Sequence, residues 1–193
     1  MKIKILAFVL IVTLLSISIT KISVVNSKNY KPKTLFYTLC DEVQIEGDFF
    51  ESSSEKMDGY SITVLNTEII STKDFIDQNN SYSNKMNGEY LYLVKVKFRN
   101  NNNKYGNSAG IDIGQYILQH NSYINFVERE AFQLINNIET QKIALRENTE
   151  MEFTLPFHIV SDYIDVNKLN NKDTQLVVSL YPQKKVIQLR KWV

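Results

Sequence analysis

Along most of this chain hydrophobic and polar positions alternate with a period of two, the spacing of a strand whose two faces see different surroundings. The longest run is EYLYLVKVKFRN. There Tyr90, Tyr92, Val94, Val96 and Phe98 share one face, while Lys95, Lys97 and Arg99 share the other with Leu91 and Leu93. That pattern predicts a strand with one face in a core and the other largely wet. YSITV, from Tyr60 to Val64, repeats it on a smaller scale, and Ile111-Asp112-Ile113 begins another such run. In EMEFTLPF, Met151, Phe153, Leu155 and Phe157 fall on one side, opposite Glu150, Glu152 and Thr154. QLVVSLY and VIQLRKW, joined through Pro182-Gln183-Lys184-Lys185, are expected to close the domain as a hairpin. Polar stretches at 79–88, 100–106 and 170–173 separate the runs. They are rich in Asn, with Gly at two of the ends, and both residues accept the backbone geometry of turns. Helical spacing is faint, best at Asp74–Gln78, with room for a turn or two over Ser161–Leu169.

One stretch departs from this pattern. Behind Lys2 and Lys4 lies ILAFVLIVTLLSISIT, and after Lys21 the apolar run continues to Val25. A bilayer-spanning helix needs about 17–25 mostly apolar residues, and Ile5–Val25 meets that length if Lys21 snorkels to the interface. A cleaved signal peptide has a shorter apolar core of about 7–15 residues, and Val25-Asn26-Ser27 is a passable cleavage site. Positive charge ahead of the segment predicts an N-terminus inside and the remainder outside. The expected organisation is a signal anchor or signal peptide over 1–27, a polar spacer over 28–45, and one all-β domain over 46–193. The expected location is the cell membrane, single-pass with the C-terminal domain outside, or alternatively the secreted fraction.

Composition narrows the picture further. Lys plus Arg (22) nearly balances Asp plus Glu (21), so no basic excess is available to neutralise a nucleic-acid backbone, and no nucleic-acid partner is expected. With 44 % apolar residues the chain can bury a sizeable core. Abundant Asn, Ile, Lys and Tyr match the usage of an AT-rich genome and point to a low-GC Gram-positive bacterium. Cys40 is the one cysteine, so no internal disulfide is available. Leu39 before it is not the small residue of a lipoprotein signal, so Cys40 reads as a free thiol.

YLVKVKFRNNNNK, followed some fifty residues later by ENTEMEFTLPFHI, resembles the extracytoplasmic immunoglobulin-like domains of unknown function found in secreted or membrane-anchored Firmicute proteins. The resemblance covers roughly Tyr60 to Tyr181. It implies an immunoglobulin-like β-sandwich at the cell envelope and supplies no catalytic residues.

Candidate chemistry is sparse. His120 and His158 lie at no metal-ligand spacing from each other or from Cys40, so no metal and no cofactor is expected. Asp77, Asn79, Ser81 and Ser83 alternate as calcium-loop ligands do, but Tyr82 occupies the position that needs glycine. Asp112, Glu128, Glu130 and Glu139 are scattered acids. The residues to watch are tyrosines in polar surroundings, Tyr82, Tyr105, Tyr116 and Tyr123, because loop tyrosines give large contact area at low entropic cost. The sequence therefore predicts a non-catalytic envelope binding or accessory module that meets an envelope protein or cell-surface ligand. The rival readings are a small hydrolase using dispersed carboxylates or Cys40, and a membrane-associated immunity or stress protein.

Overall fold

The computed structural model describes residues 2–27, 33–52, 55–79, 88–105, 110–121, 123–160, 162 and 174–189, with side chains of the N-terminal helix described over 11–23. The chain divides into two compact units, Met1–Pro32 and Lys33–Val193. The first is helix α1, Lys2–Ser27. With neither Gly nor Pro before Pro32, nothing interrupts its backbone ladder. The Ser16 hydroxyl bonds back to the Val12 carbonyl, as such side chains do in apolar helices. Among the described residues, no helix is long and apolar enough to cross a membrane.

The second unit is built mostly of strands. The first four are β1 (Thr34–Tyr37), β2 (Glu42–Gln44), β3 (Tyr60–Ser71) and β4 (Tyr90–Asn100). Next come β5 (Ile111–Asp112), β6 (Ile117–His120), β7 (Tyr123–Phe126) and β8 (Lys142–Ile143). The last three are β9 (Thr149–Ile159), β10 (Thr174–Ser179) and β11 (Lys184–Gln188). They form a four-stranded sheet in the order β2-β3-β4-β9, a five-stranded sheet in the order β1-β11-β10-β6-β7, and the small pair β5-β8. Among the described residues all pairings of these strands are antiparallel except β1 with β11. The predicted closing hairpin is β10–β11, turned by a cis Tyr181–Pro182 bond.

The domain begins earlier than expected. The polar, Lys-bearing start of 28–45 predicts a spacer. Thr34–Tyr37 nevertheless supplies an edge strand beside β11, and Glu42–Gln44 an edge strand beside β3. Edge strands need bury only one face, so a short half-polar segment serves.

Inner faces of the two large sheets share one core. Tyr92, Val94, Val96 and Phe98 of β4 are fully buried, as the alternation predicts, and meet Leu176, Ile187 and Leu118 from the other sheet. Each such side chain contributes roughly 1.5–3 kcal/mol of transfer free energy. The outer face of β4 divides in two. Lys95 and Lys97 stay at the surface and pair diagonally with Glu152 at 2.6 Å and Glu150 at 3.4 Å on β9. Leu91, on the same face, lies instead under two short helices, α2 (Thr72–Gln78) and α3 (Arg129–Asn136), in a second cluster with Phe75 and Ala131. This explains two leucines on an otherwise charged face. Met151 is a correction to the strand pattern: it pairs with the buried Phe98 yet is 48 % exposed, at the margin of a surface cleft. Ser161–Leu169 lies outside the described residues except Asp162.

Candidate functional site

The polar stretch that follows β4 does more than turn the chain. Asn100 is buried, and its amide nitrogen donates to the carbonyls of Leu145 at 2.8 Å and Asn103 at 3.1 Å. Its amide oxygen accepts from the Asn103 backbone at 2.7 Å. Asn103, also buried, donates through its side chain to the carbonyls of Lys56 at 2.9 Å and Asp58 at 2.6 Å, and accepts from the Tyr105 backbone at 3.1 Å. Asn103 thus staples the 100–105 turn to the 56–58 segment, and Asn100 ties it to Leu145. Burial of unpaired amides is expensive, so these bonds hold the turn in one shape.

Gly59 joins the two segments. Its φ is +84°, and its carbonyl accepts from Asn101 at 2.9 Å and Asn102 at 3.3 Å. A Cβ there would lie 2.2 Å from Asn102 Oδ1 and 2.8 Å from the Asn103 nitrogen, so only glycine fits.

The opposite wall runs from Gln44 to Asp48. It is fixed by a buried ion pair, Lys185 Nζ to Asp48 Oδ2 at 2.5 Å. The same ammonium donates to the Gln44 carbonyl at 2.6 Å, and the same carboxylate accepts from the Glu46 backbone at 3.1 Å. Between the walls lies a cleft of ≈ 430 Å³, lined among others by Gln44, Glu46, Asp58, Asn101, Asn102 and Tyr105. Tyr105 is half-exposed at its margin, with Lys56 Nζ 5.1 Å from the ring centroid. Asn101 bridges the walls, donating to Gln44 Oε1 at 2.9 Å and Ser61 Oγ at 3.2 Å. Close by, Glu42 is held below the ordinary carboxylate range, chiefly by the Ser61 hydroxyl at 2.6 Å and against a smaller opposing effect of burial.

Residues 35–185 match the family model described as Domain of unknown function (DUF5028). The chain belongs to that family. No curated protein and no solved structure matches it. The matched span begins within β1 and ends within β11, so the DUF5028 domain includes both edge strands that were assigned to a spacer.

Of the three described tyrosines among those singled out from the sequence, Tyr105 alone lines the DUF5028 cleft. Tyr116 is a correction. It is fully buried, edge-on to Phe50 at 5.4 Å and Phe98 at 5.5 Å, and burial pushes its phenol far above the ordinary range. A tyrosine beside polar residues in sequence can still point inward, and Ile113 through Tyr116 form a short 3-10 turn whose last ring enters the core. Tyr123 is half-buried on β7 against the core. Tyr82 lies outside the described residues, as do Ser81 and Ser83.

The other chemical candidates do not converge. Cys40 is exposed in the turn between β1 and β2, whereas the His120 ring bonds to Thr174 Oγ1 at 2.9 Å. Asp112 and Glu128 act as helix caps, accepting from Gly114 at 3.1 Å and Ala131 at 2.5 Å. Among the described residues no three His, Cys, Asp or Glu side chains are grouped as metal ligands. A second, more apolar cleft of ≈ 450 Å³ lies between Ile138–Leu145 and Met151.

Sequence reading missed Asn100, Asn103, Asp48 and Lys185. The Asn100–Asn103 run is the available signal, but asparagine density by itself indicates only a turn.

Proposed function

We propose that this DUF5028 protein is a non-catalytic cell-envelope binding or accessory module of immunoglobulin-like sandwich type, in a low-GC Gram-positive bacterium. Residues 5–25 anchor it as a single pass, with the C-terminal domain outside and the Tyr105 cleft presented to an envelope partner or cell-surface ligand. The observation that carries the reading is the construction of the cleft. Both walls are pinned by buried polar groups, and the side chains left at its surface are amides, carboxylates, an ammonium and a phenol, a mixed donor and acceptor set suited to recognition. Rigid walls reduce the ordering penalty of association, which is what a recognition site requires. The two-sheet core and the parallel β1–β11 edge support the sandwich type. The anchor rests on the sequence, where Lys2 and Lys4 precede the apolar run Ile5–Val25.

Fractionation with N-terminal sequencing tests the location. A mature chain beginning at Met1 in the membrane fraction is expected, a chain beginning near Lys28 in the medium means a secreted binder, and a soluble cytoplasmic chain defeats the envelope reading. Capture of envelope components by the tagged full chain tests the site. The partner retained by the wild type is expected to be lost with Tyr105→Ala, and equal retention by both defeats the cleft reading.

A further inference from the structure

We infer that the cleft takes a neutral, hydroxyl-rich chain, an oligosaccharide segment, with the Tyr105 ring as its platform. The inference rests on the cleft reading above and adds the chemical class of the ligand.

Charge is the first argument. Glu46 and Asp58 line the cleft, and Lys104 lines it too while Lys56 sits against Tyr105. Two carboxylates and one ammonium thus line one concavity, with a second ammonium, Lys56, at its margin against the Tyr105 ring. An anionic or cationic ligand would meet like charge at close range, whereas a neutral one meets none. The second argument is hydrogen-bonding character. Carboxylates only accept, ammonium groups only donate, and the amides of Gln44, Asn101 and Asn102 do both. A hydroxyl also does both, so a run of hydroxyls can meet the donors and acceptors that the Asn101–Gln44 and Gly47–Asp58 bonds leave open in this mixed lining, which a ligand of acceptors or donors alone cannot.

The ring supplies the third argument. Tyr105 is 52 % exposed, yet its backbone is held by Asn103 Oδ1 and its ring is met by Lys56. An exposed aromatic with a fixed base loses little freedom on binding. The C–H face of a pyranose is the apolar surface that such a ring covers while the sugar's hydroxyls remain at the rim. A volume of ≈ 430 Å³ lies in the range of about 300–1,000 Å³ typical of small-ligand sites. The polar lining disfavours an apolar occupant.

The test uses the full chain in phosphocholine micelles, which carry no sugar headgroup. Saturation-transfer NMR is recorded with chitotetraose, cellotetraose and maltotetraose, and with polyglutamate and spermine as charged comparators. Saturable binding of at least one tetrasaccharide is expected. Tyr105→Ala is expected to weaken it about tenfold, the loss of a contact near 1.4 kcal/mol. Tyr105→Phe keeps the platform and stays close to wild type. Phe126→Ala, at an exposed position on the other sheet, leaves binding unchanged and controls for general damage. Absence of saturable tetrasaccharide binding, tetrasaccharide binding indifferent to Tyr105→Ala, or Tyr105-dependent binding of polyglutamate or spermine overturns the inference. If envelope capture is still lost with Tyr105→Ala while no sugar binds, the ligand class is wrong and the cleft reading survives. If capture is indifferent to Tyr105→Ala, the cleft reading itself has failed.

Discussion

At the scale of single residues, the cleft depends on side chains that no ligand would touch. Lys185 and Asp48 are both almost fully buried, and together they hold the Gln44 carbonyl and the Glu46 amide on one wall. Removing one partner strands the other charge away from water. Lys185→Met is therefore expected to lower the unfolding free energy by about 3–5 kcal/mol, read from urea denaturation followed by circular dichroism. A double variant, Lys185→Met with Asp48→Leu, is expected to recover most of that loss, because two apolar groups replace a pair that paid for its own desolvation. If the double variant were no more stable than the single one, hydrogen bonding to Gln44 and Glu46 would outweigh the ion pair.

At the scale of elements, β4 is long because its alternation is long and β3 pairs with it along its length, but the site lies where they stop. Gly59 immediately precedes β3, and Asn100 ends β4 opposite Tyr60. The turn geometry that closes this sheet end also forms the cleft. Gly59→Ala would force a side chain into the left-handed region, at roughly 1–2 kcal/mol, and against the Asn102 amide. The expected result is a lower urea midpoint together with loss of Tyr105-dependent capture. A variant that kept full stability and capture would mean that the Asn102 and Asn103 segment yields without consequence.

The whole molecule is expected to weaken in acid. Burial holds His158 below its ordinary value, with Glu128 opposing, and leaves its Nε2 without a partner. The unfolded chain takes up this proton near pH 6.5 while the folded chain resists it, so this contribution is complete above about pH 6.5 and declines below it. Glu42 and Asp41 are both held low in the fold, chiefly by the Ser61 hydroxyl and the Thr38 amide respectively. Their contributions are present above the ordinary carboxylate range and are lost as pH falls through it. Urea midpoints across pH should therefore begin to fall below about 6.5 and drop again near 4. His158→Gln should remove the first decline and leave the second. A midpoint that rose between pH 7 and 5 would contradict the burial of a neutral His158.

Legibility followed the range of the interactions involved. The period-two runs of β4 and β9, the closing hairpin and the helical turn at Asp74–Gln78 were readable because alternation and turn chemistry are local, and a strand declares its buried face in its own residues. Short edge strands such as β1 carry no such signal, because half of their environment is solvent and their partner, β11, is about 150 residues away. The same holds for the site. Tyr105 could be proposed from an exposed-looking polar run, but Tyr116 had the same appearance and entered the core. The inward or outward direction of a loop side chain depends on what packs against it, and here that is Phe50 and Phe98, distant in sequence. By itself the sequence determined a mostly β domain behind an apolar N-terminal run, because burial pattern and segment length are properties of contiguous residues. Only the tertiary structure decided that Asn100, Asn103, Gly59 and the Lys185–Asp48 pair build one rigid cleft. Their partners are brought together from separate strands and turns, and no local pattern records that meeting.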